Sequence, residues 1–122
     1  MDFSLTEEQQ LIIQSTRTFV ENELFPHEQE IEASGVLREE LYQQLKAKAI
    51  DAGLYAANMP IEVGGSGLDT VSWVLYEKEL GRTSYALHFN CVARPSNILL
   101  ACSGEQRERY LLPTVRGERV EC

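Results

Sequence analysis

Few residues in this chain have the types and spacing that chemistry needs. Gly64-Gly65-Ser66-Gly67 is a glycine cluster of the kind whose backbone N–H groups can cradle a phosphate. Its spacing fits neither G-x-G-x-x-G nor the P-loop, and no strand precedes it. It reads as a turn requiring positive φ. His27 and His88 stand far apart, with no second His or Cys at ligand spacing, which predicts no metal site. His88 is expected to pack within its helix. Cys91 and Cys102 lie eleven residues apart. On one unbroken helix that is about 16 Å of rise, too far for a disulfide. With only Arg94 close by, Cys91 reads as a small buried apolar residue rather than a nucleophile. Glu77 and Glu79 end a helix and read as surface charges or ion-pair partners.

The elements that position these residues are helical. Thr6 with Gln9 forms a capping box, and Glu7 and Glu8 suit the first turn. Leu5, Leu11, Ile12 and Phe19 then form a stripe of helical period. Pro26 stops or kinks that helix and can begin the next. A helix is predicted from Arg38 to Ala52, with Leu41, Leu45 and Ala49 on one face and Gly53 ending it. Residues Leu54 to Leu68 read as a loop. Asp69 caps a helix with Val71, Val74 and Leu75 on one side and Trp73, Tyr76 and Leu80 on the other, as expected of a helix sandwiched between neighbours. Ser84 caps a further helix, which Pro95 should kink or break. Ser103 with Gln106 reads as a second capping box, and Pro113 and Gly117 close that helix. Val120 begins what reads as a strand without continuation, which predicts a cut chain. Strand signals are otherwise nearly absent. The expected architecture is an all-α bundle of about five or six helices.

The chain has 122 residues, enough for one domain with one core. Its net charge of −8 lies within residues 1–40, where ten acidic residues face only Arg17 and Arg38. That acidic face opposes nucleic acid and anionic membranes and is a poor clamp for phosphate groups. No apolar run approaches the roughly 20 residues of a membrane span. The acidic N-terminus fits neither a secretory signal nor an Arg-rich transit peptide. Three cysteines, an odd count, point to free thiols in a reducing, cytoplasmic compartment.

Four stretches in order carry a family resemblance. They are Phe3-Ser4-Leu5-Thr6-Glu7-Glu8-Gln9, Met59-Pro60-Ile61-Glu62-Val63-Gly64-Gly65-Ser66-Gly67-Leu68, Glu77-Lys78-Glu79-Leu80-Gly81-Arg82, and Gly104-Glu105-Gln106 through Tyr110-Leu111-Leu112-Pro113 to Gly117-Glu118. Together they resemble the N-terminal helical domain of the acyl-CoA dehydrogenase family. Val63 departs from the family pattern, where an aromatic is common, and so does Cys102, where Gly is common.

The resemblance implies that residues 1–122 are one domain of a longer flavoenzyme, cut before the flavin-binding β middle domain and the C-terminal helical domain. It implies FAD in the full-length enzyme and none in this fragment. It also implies an acyl-CoA substrate, an electron-transfer partner and a homo-oligomer. The family's catalytic glutamate lies in the C-terminal domain, so no catalytic residue is expected here. The helix after the Glu-Leu-Gly-Arg segment lines the far end of the family's acyl pocket, which brings Tyr85, Ala86 and Phe89 to substrate-binding positions. Residues 85 and 89 share a helical face and 86 adjoins it. Other readings are a related acyl-CoA oxidase or flavin monooxygenase, or a non-catalytic helical interaction module. The isolated chain is expected to self-associate through the second apolar face of the Val71–Leu80 helix.

Overall fold

The computed structural model describes residues 2–120. Helix α1 spans Glu7–Phe19 and opens with the expected capping box: the Gln9 amide donates to Thr6 Oγ1 at 3.1 Å and the Thr6 amide to Gln9 Oε1 at 3.0 Å. A π turn, Val20–Leu24, and a 3-10 turn, Phe25–His27, carry the chain past Pro26 into α2, Glu28–Ser34. Helix α3 is Glu39–Asp51, α4 is Thr70–Leu80 and α5 is Tyr85–Cys91. A second π turn, Arg107–Leu111, leads directly into α6, Leu112–Val115. Among the described residues there is no strand, so the fold is all-α.

Helix α1 packs along α4, and α3 packs on α5. The seam is filled by Val20, Leu24, Leu45, Tyr76, Leu80, Leu87 and Val92, all buried. Each such side chain contributes about 1.5–3 kcal/mol by leaving water. Leu41, Leu45 and Ala49 lie inward on α3, as their spacing predicts. Leu5 and Leu11, expected in the α1 stripe, are exposed; the buried end of that stripe is Thr16, Phe19 and Val20. Helix α4 is covered on one side only. Tyr76 and Leu80 are buried, while Val71 and Val74 are open.

Several local expectations give way to tertiary context. The segment from Leu54 to Leu68 is a loop, as expected, with one 3-10 turn at Ile61–Val63, yet much of it is not on the surface: Leu54, Tyr55, Ala56, Ala57, Met59 and Val63 belong to the core. It is anchored by Ala56 N–H to the Ala93 carbonyl at 2.8 Å and by the Tyr76 hydroxyl to the Leu54 carbonyl at 2.6 Å. The Ser103–Gln106 capping box does not form; the Gln106 amide bonds the Ser103 carbonyl at 3.1 Å instead. Pro113 does not close its helix but sits at the start of α6. Its ring offers no N–H to the Arg109 carbonyl four residues back. That carbonyl accepts from the Arg119 guanidinium at 2.9 Å. Gly117, at φ 80°, does end the run. Val120 belongs to no strand, and Glu121 and Cys122 lie outside the described residues.

The Tyr76 contact yields a direct expectation. Burial pushes the Tyr76 hydroxyl far above its ordinary pKa, so it stays a donor at any working pH. Tyr76→Phe removes that donor and strands a buried carbonyl, at a cost of about 1–3 kcal/mol. The unfolding midpoint in urea should fall without a change of slope.

Candidate functional site

The sequence-predicted residues sit on α5, and the residues around them explain its placement. Ser84 occupies the N-cap position, but its hydroxyl finds no partner in the interior. The helix start is held instead by Glu28 of α2, whose Oε1 accepts from Thr83 Oγ1 at 2.7 Å and from the Ser84 amide at 3.2 Å. A carboxylate there also suits the positive end of the helix dipole.

The C-terminal end is held by Arg94. Its Nη1 donates to the carbonyls of His88 at 2.8 Å and Val92 at 2.7 Å, and its Nε pairs with Glu77 at 2.9 Å. A guanidinium thus satisfies carbonyls that the helix end leaves open. Arg94 Nη2 also lies 3.2 Å from His88 Nδ1. A guanidinium can only donate, so Nδ1 accepts. Burial, then the Arg94 charge, lower the His88 pKa and favour that neutral ring. Sequence reasoning missed Arg94 in this role. The signal was a basic residue just past the end of a helix and directly before Pro95. That proline does break the helix, which stops at Cys91.

Tyr85 and Phe89 come together as the i, i+4 spacing predicts. Their rings stack at 4.7 Å with an interplanar angle of 18°. Tyr85 is 66% and Phe89 53% exposed, a large unpartnered aromatic surface. The imidazole of His88 meets Tyr85 edge-on at 5.5 Å. Ala86 adjoins this face, half-buried, and packs against the core. Phe89 also borders a cavity of about 100 Å³ shared with Tyr42, Tyr55, Ala93, Pro95 and Thr114. Tyr85 and Ala86 are not among its lining residues.

The remaining candidates resolve as follows. Cys91 is buried, and burial pushes its thiol up to about 12, which removes it as a nucleophile. Cys91 and Cys102 are both free thiols. Among the described residues no three His, Cys, Asp or Glu side chains gather at metal-binding distance. Glu77 and Glu79 are both ion-pair partners, but Glu79 is no surface charge: its side chain is only 4% exposed and paired with Arg17 at 2.7 Å. In the glycine cluster, Gly64 and Gly67 adopt positive φ, of 104° and 63°, while Gly65 does not. No helix among the described residues is long and apolar enough to cross a membrane.

Comparison with known proteins agrees with this fold and these motifs. Residues 6–118 match the family model described as acyl-CoA dehydrogenase, N-terminal domain. Over 96% of its length the chain is 32% identical to a probable acyl-CoA dehydrogenase, YngJ, of Bacillus subtilis, covering 31% of that protein. It is 31% identical over 97% of its length to the human mitochondrial short-chain specific acyl-CoA dehydrogenase, covering 29% of it. With the short-chain specific enzyme of Clostridium acetobutylicum the identity is 32% over 98% of this chain and 32% of the relative. The chain therefore spans about a third of the length of these relatives. No solved structure was found to match it. From the α-helical bundle, the ordered motifs and these matches together, the chain belongs to the acyl-CoA dehydrogenase family and corresponds to its N-terminal domain.

Proposed function

We propose that this domain serves a flavin-dependent acyl-CoA dehydrogenase, an enzyme removing hydrogen across the α,β bond of an acyl-CoA thioester. Its part is to wall the far end of the acyl pocket through Tyr85, Ala86 and Phe89. The observation that carries this reading is the stacked, half-exposed Tyr85–Phe89 pair, an apolar surface that a monomeric domain has no reason to leave open. Two aromatic rings beside an alanine narrow a cavity and favour short or compact acyl groups. The longer protein is proposed to work as a homo-oligomer in the cytoplasm and to pass electrons to a separate partner.

FAD belongs to this reading only through that longer protein. The interior polar atoms lacking a partner among the described residues are Thr16 Oγ1, Asn58 Oδ1 and Ser84 Oγ. They belong to α1, the Leu54–Leu68 segment and the start of α5, and of the three Asn58 Oδ1 can only accept. FAD is therefore proposed only for the longer protein, and no step of this domain is derived through it.

The test uses the full-length enzyme and a series of saturated acyl-CoA thioesters with an artificial electron acceptor. Phe89→Ala should raise the relative kcat/KM for chains a few carbons longer by about tenfold, since each methylene is worth roughly 1–3 kcal/mol in an apolar pocket. Ala86→Leu should do the reverse. An unchanged profile in both would remove these residues from the pocket. Absence of turnover with every thioester would remove the activity itself.

A further inference from the structure

The π turn at Arg107–Leu111 lies against a groove whose far wall is the Leu54–Leu68 segment. The groove has a volume of about 590 Å³. Ile50, Ile61, Val63 and Leu112 give it apolar lining, and Arg107 and Arg116 line it as well. Six of the eight arginines have a partner among the described residues. Arg17, Arg38, Arg82 and Arg94 form ion pairs, and Arg109 and Arg119 lie over the Tyr110 ring. Arg107 and Arg116 have no side-chain partner there, although the chain carries 19 acidic residues. One carboxylate, Glu62, shares the groove.

The sequence spacing of these two arginines opposes their meeting. Nine residues on a regular α-helix amount to roughly 900° of rotation, which puts side chains on opposite faces. The π turn, closed by the Leu112 N–H to the Arg107 carbonyl, takes up one extra residue. The separation then matches i, i+8, which lies on one helical stripe. The irregular turn therefore places two unpaired arginines on one groove of mixed polar and apolar lining.

We propose that this groove is a binding site for a small organic anion, a phosphate monoester or carboxylate with an apolar body, and that the π turn creates it. The guanidiniums take the oxyanion, a geometry arginine suits by its forked donors. Ile50, Ile61 and Leu112 cover the hydrocarbon. The site is separate from the α5 aromatic surface and does not depend on the acyl-pocket reading.

Titration calorimetry of the 122-residue chain with hexyl phosphate, hexanoate, inorganic phosphate and hexanol tests this. Hexyl phosphate or hexanoate should bind saturably and at least several-fold tighter than inorganic phosphate or hexanol. Arg107→Gln and Arg116→Gln should each weaken binding about tenfold, as loss of a charge-assisted hydrogen bond does. Glu62→Gln should tighten it, and Arg109→Gln, outside the groove, should leave it unchanged. Helical circular dichroism of each variant separates lost binding from lost folding. Absence of saturable binding, or equal affinity in the Arg107→Gln and Arg116→Gln proteins, would overturn the proposal. Equal affinity for inorganic and hexyl phosphate would also overturn it, since Ile50, Ile61 and Leu112 would then have no role.

Discussion

Gly65→Ala should be among the most damaging single-methyl additions to this domain, costing about 3 kcal/mol. A Cβ at residue 65 would collide with the Met59 carbonyl group and stand 2.6 Å from the Met59 Cβ. Neither side can yield easily. Met59 is fully buried, its carbonyl accepts the Gly67 N–H at 3.0 Å, and the Gly65 N–H itself donates to the Pro60 carbonyl at 3.0 Å. Gly65 is thus required by the close approach of two backbones, not by its φ. Against the 5–15 kcal/mol of a typical domain, about 3 kcal/mol is a large share. Gly35→Ala is the control. It has positive φ but open space around it, so only the backbone cost of about 1 kcal/mol applies. Urea unfolding of both variants checks the ranking. Equal midpoints would mean that the Leu54–Leu68 segment is not locked onto the core as described.

Arg17→Met should lower stability at neutral pH by leaving the buried Glu79 carboxylate with a weaker partner, and the loss should shrink in acid. Glu79 accepts from Arg17 Nε at 3.1 Å and Nη2 at 2.7 Å, and from Arg82 Nη1 at 3.3 Å. The Arg17 hydrogen bonds hold the Glu79 carboxyl below its ordinary value of 4.5, against the opposing push of burial. A lowered folded-state pKa means that this contribution is fully present above the unfolded value. It is lost as pH falls through the folded one. In the variant, Glu79 stays buried with only the longer Arg82 contact, and burial pushes its pKa back up. Protonation then relieves the unpaired charge. Arg17 is itself half-exposed, so water screens part of its pairing with Glu79. Urea midpoints for both proteins at pH 7 and near pH 3.5 provide the measurement. A difference independent of pH would show that Arg17 acts by packing alone.

Both expectations rest on contacts between segments distant in sequence, and this marks the limit of what the chain reveals by itself. The Thr6–Gln9 box, the Asp69 cap with its Ser72 N–H bond of 2.8 Å, the inward face of α3 and the break before Pro95 were all legible. So was the meeting of Tyr85 with Phe89. Each depends on residues three or four apart, where helix geometry alone fixes the neighbours. The Ser103 box failed although its pattern was equally good. There the amide three residues on bonds the Ser103 carbonyl, so the hydroxyl has no cap to make.

Local pattern therefore determined the helical class, most helix boundaries, the charge asymmetry and the ordered motifs of the family. Tertiary structure decided that the first half of the Leu54–Leu68 loop is buried in the core, because Tyr76 and Ala93 satisfy its backbone. It decided that Glu79 is buried, because Arg17, 62 residues away, neutralises it. It decided that Arg94 closes α5, and that Arg107 and Arg116, on either side of a π turn's end, line one groove. Periodicity assumes a constant rotation per residue and says nothing of partners beyond the next turn. An inserted residue in a helix, or a charge supplied from another helix, leaves no periodic trace in the sequence.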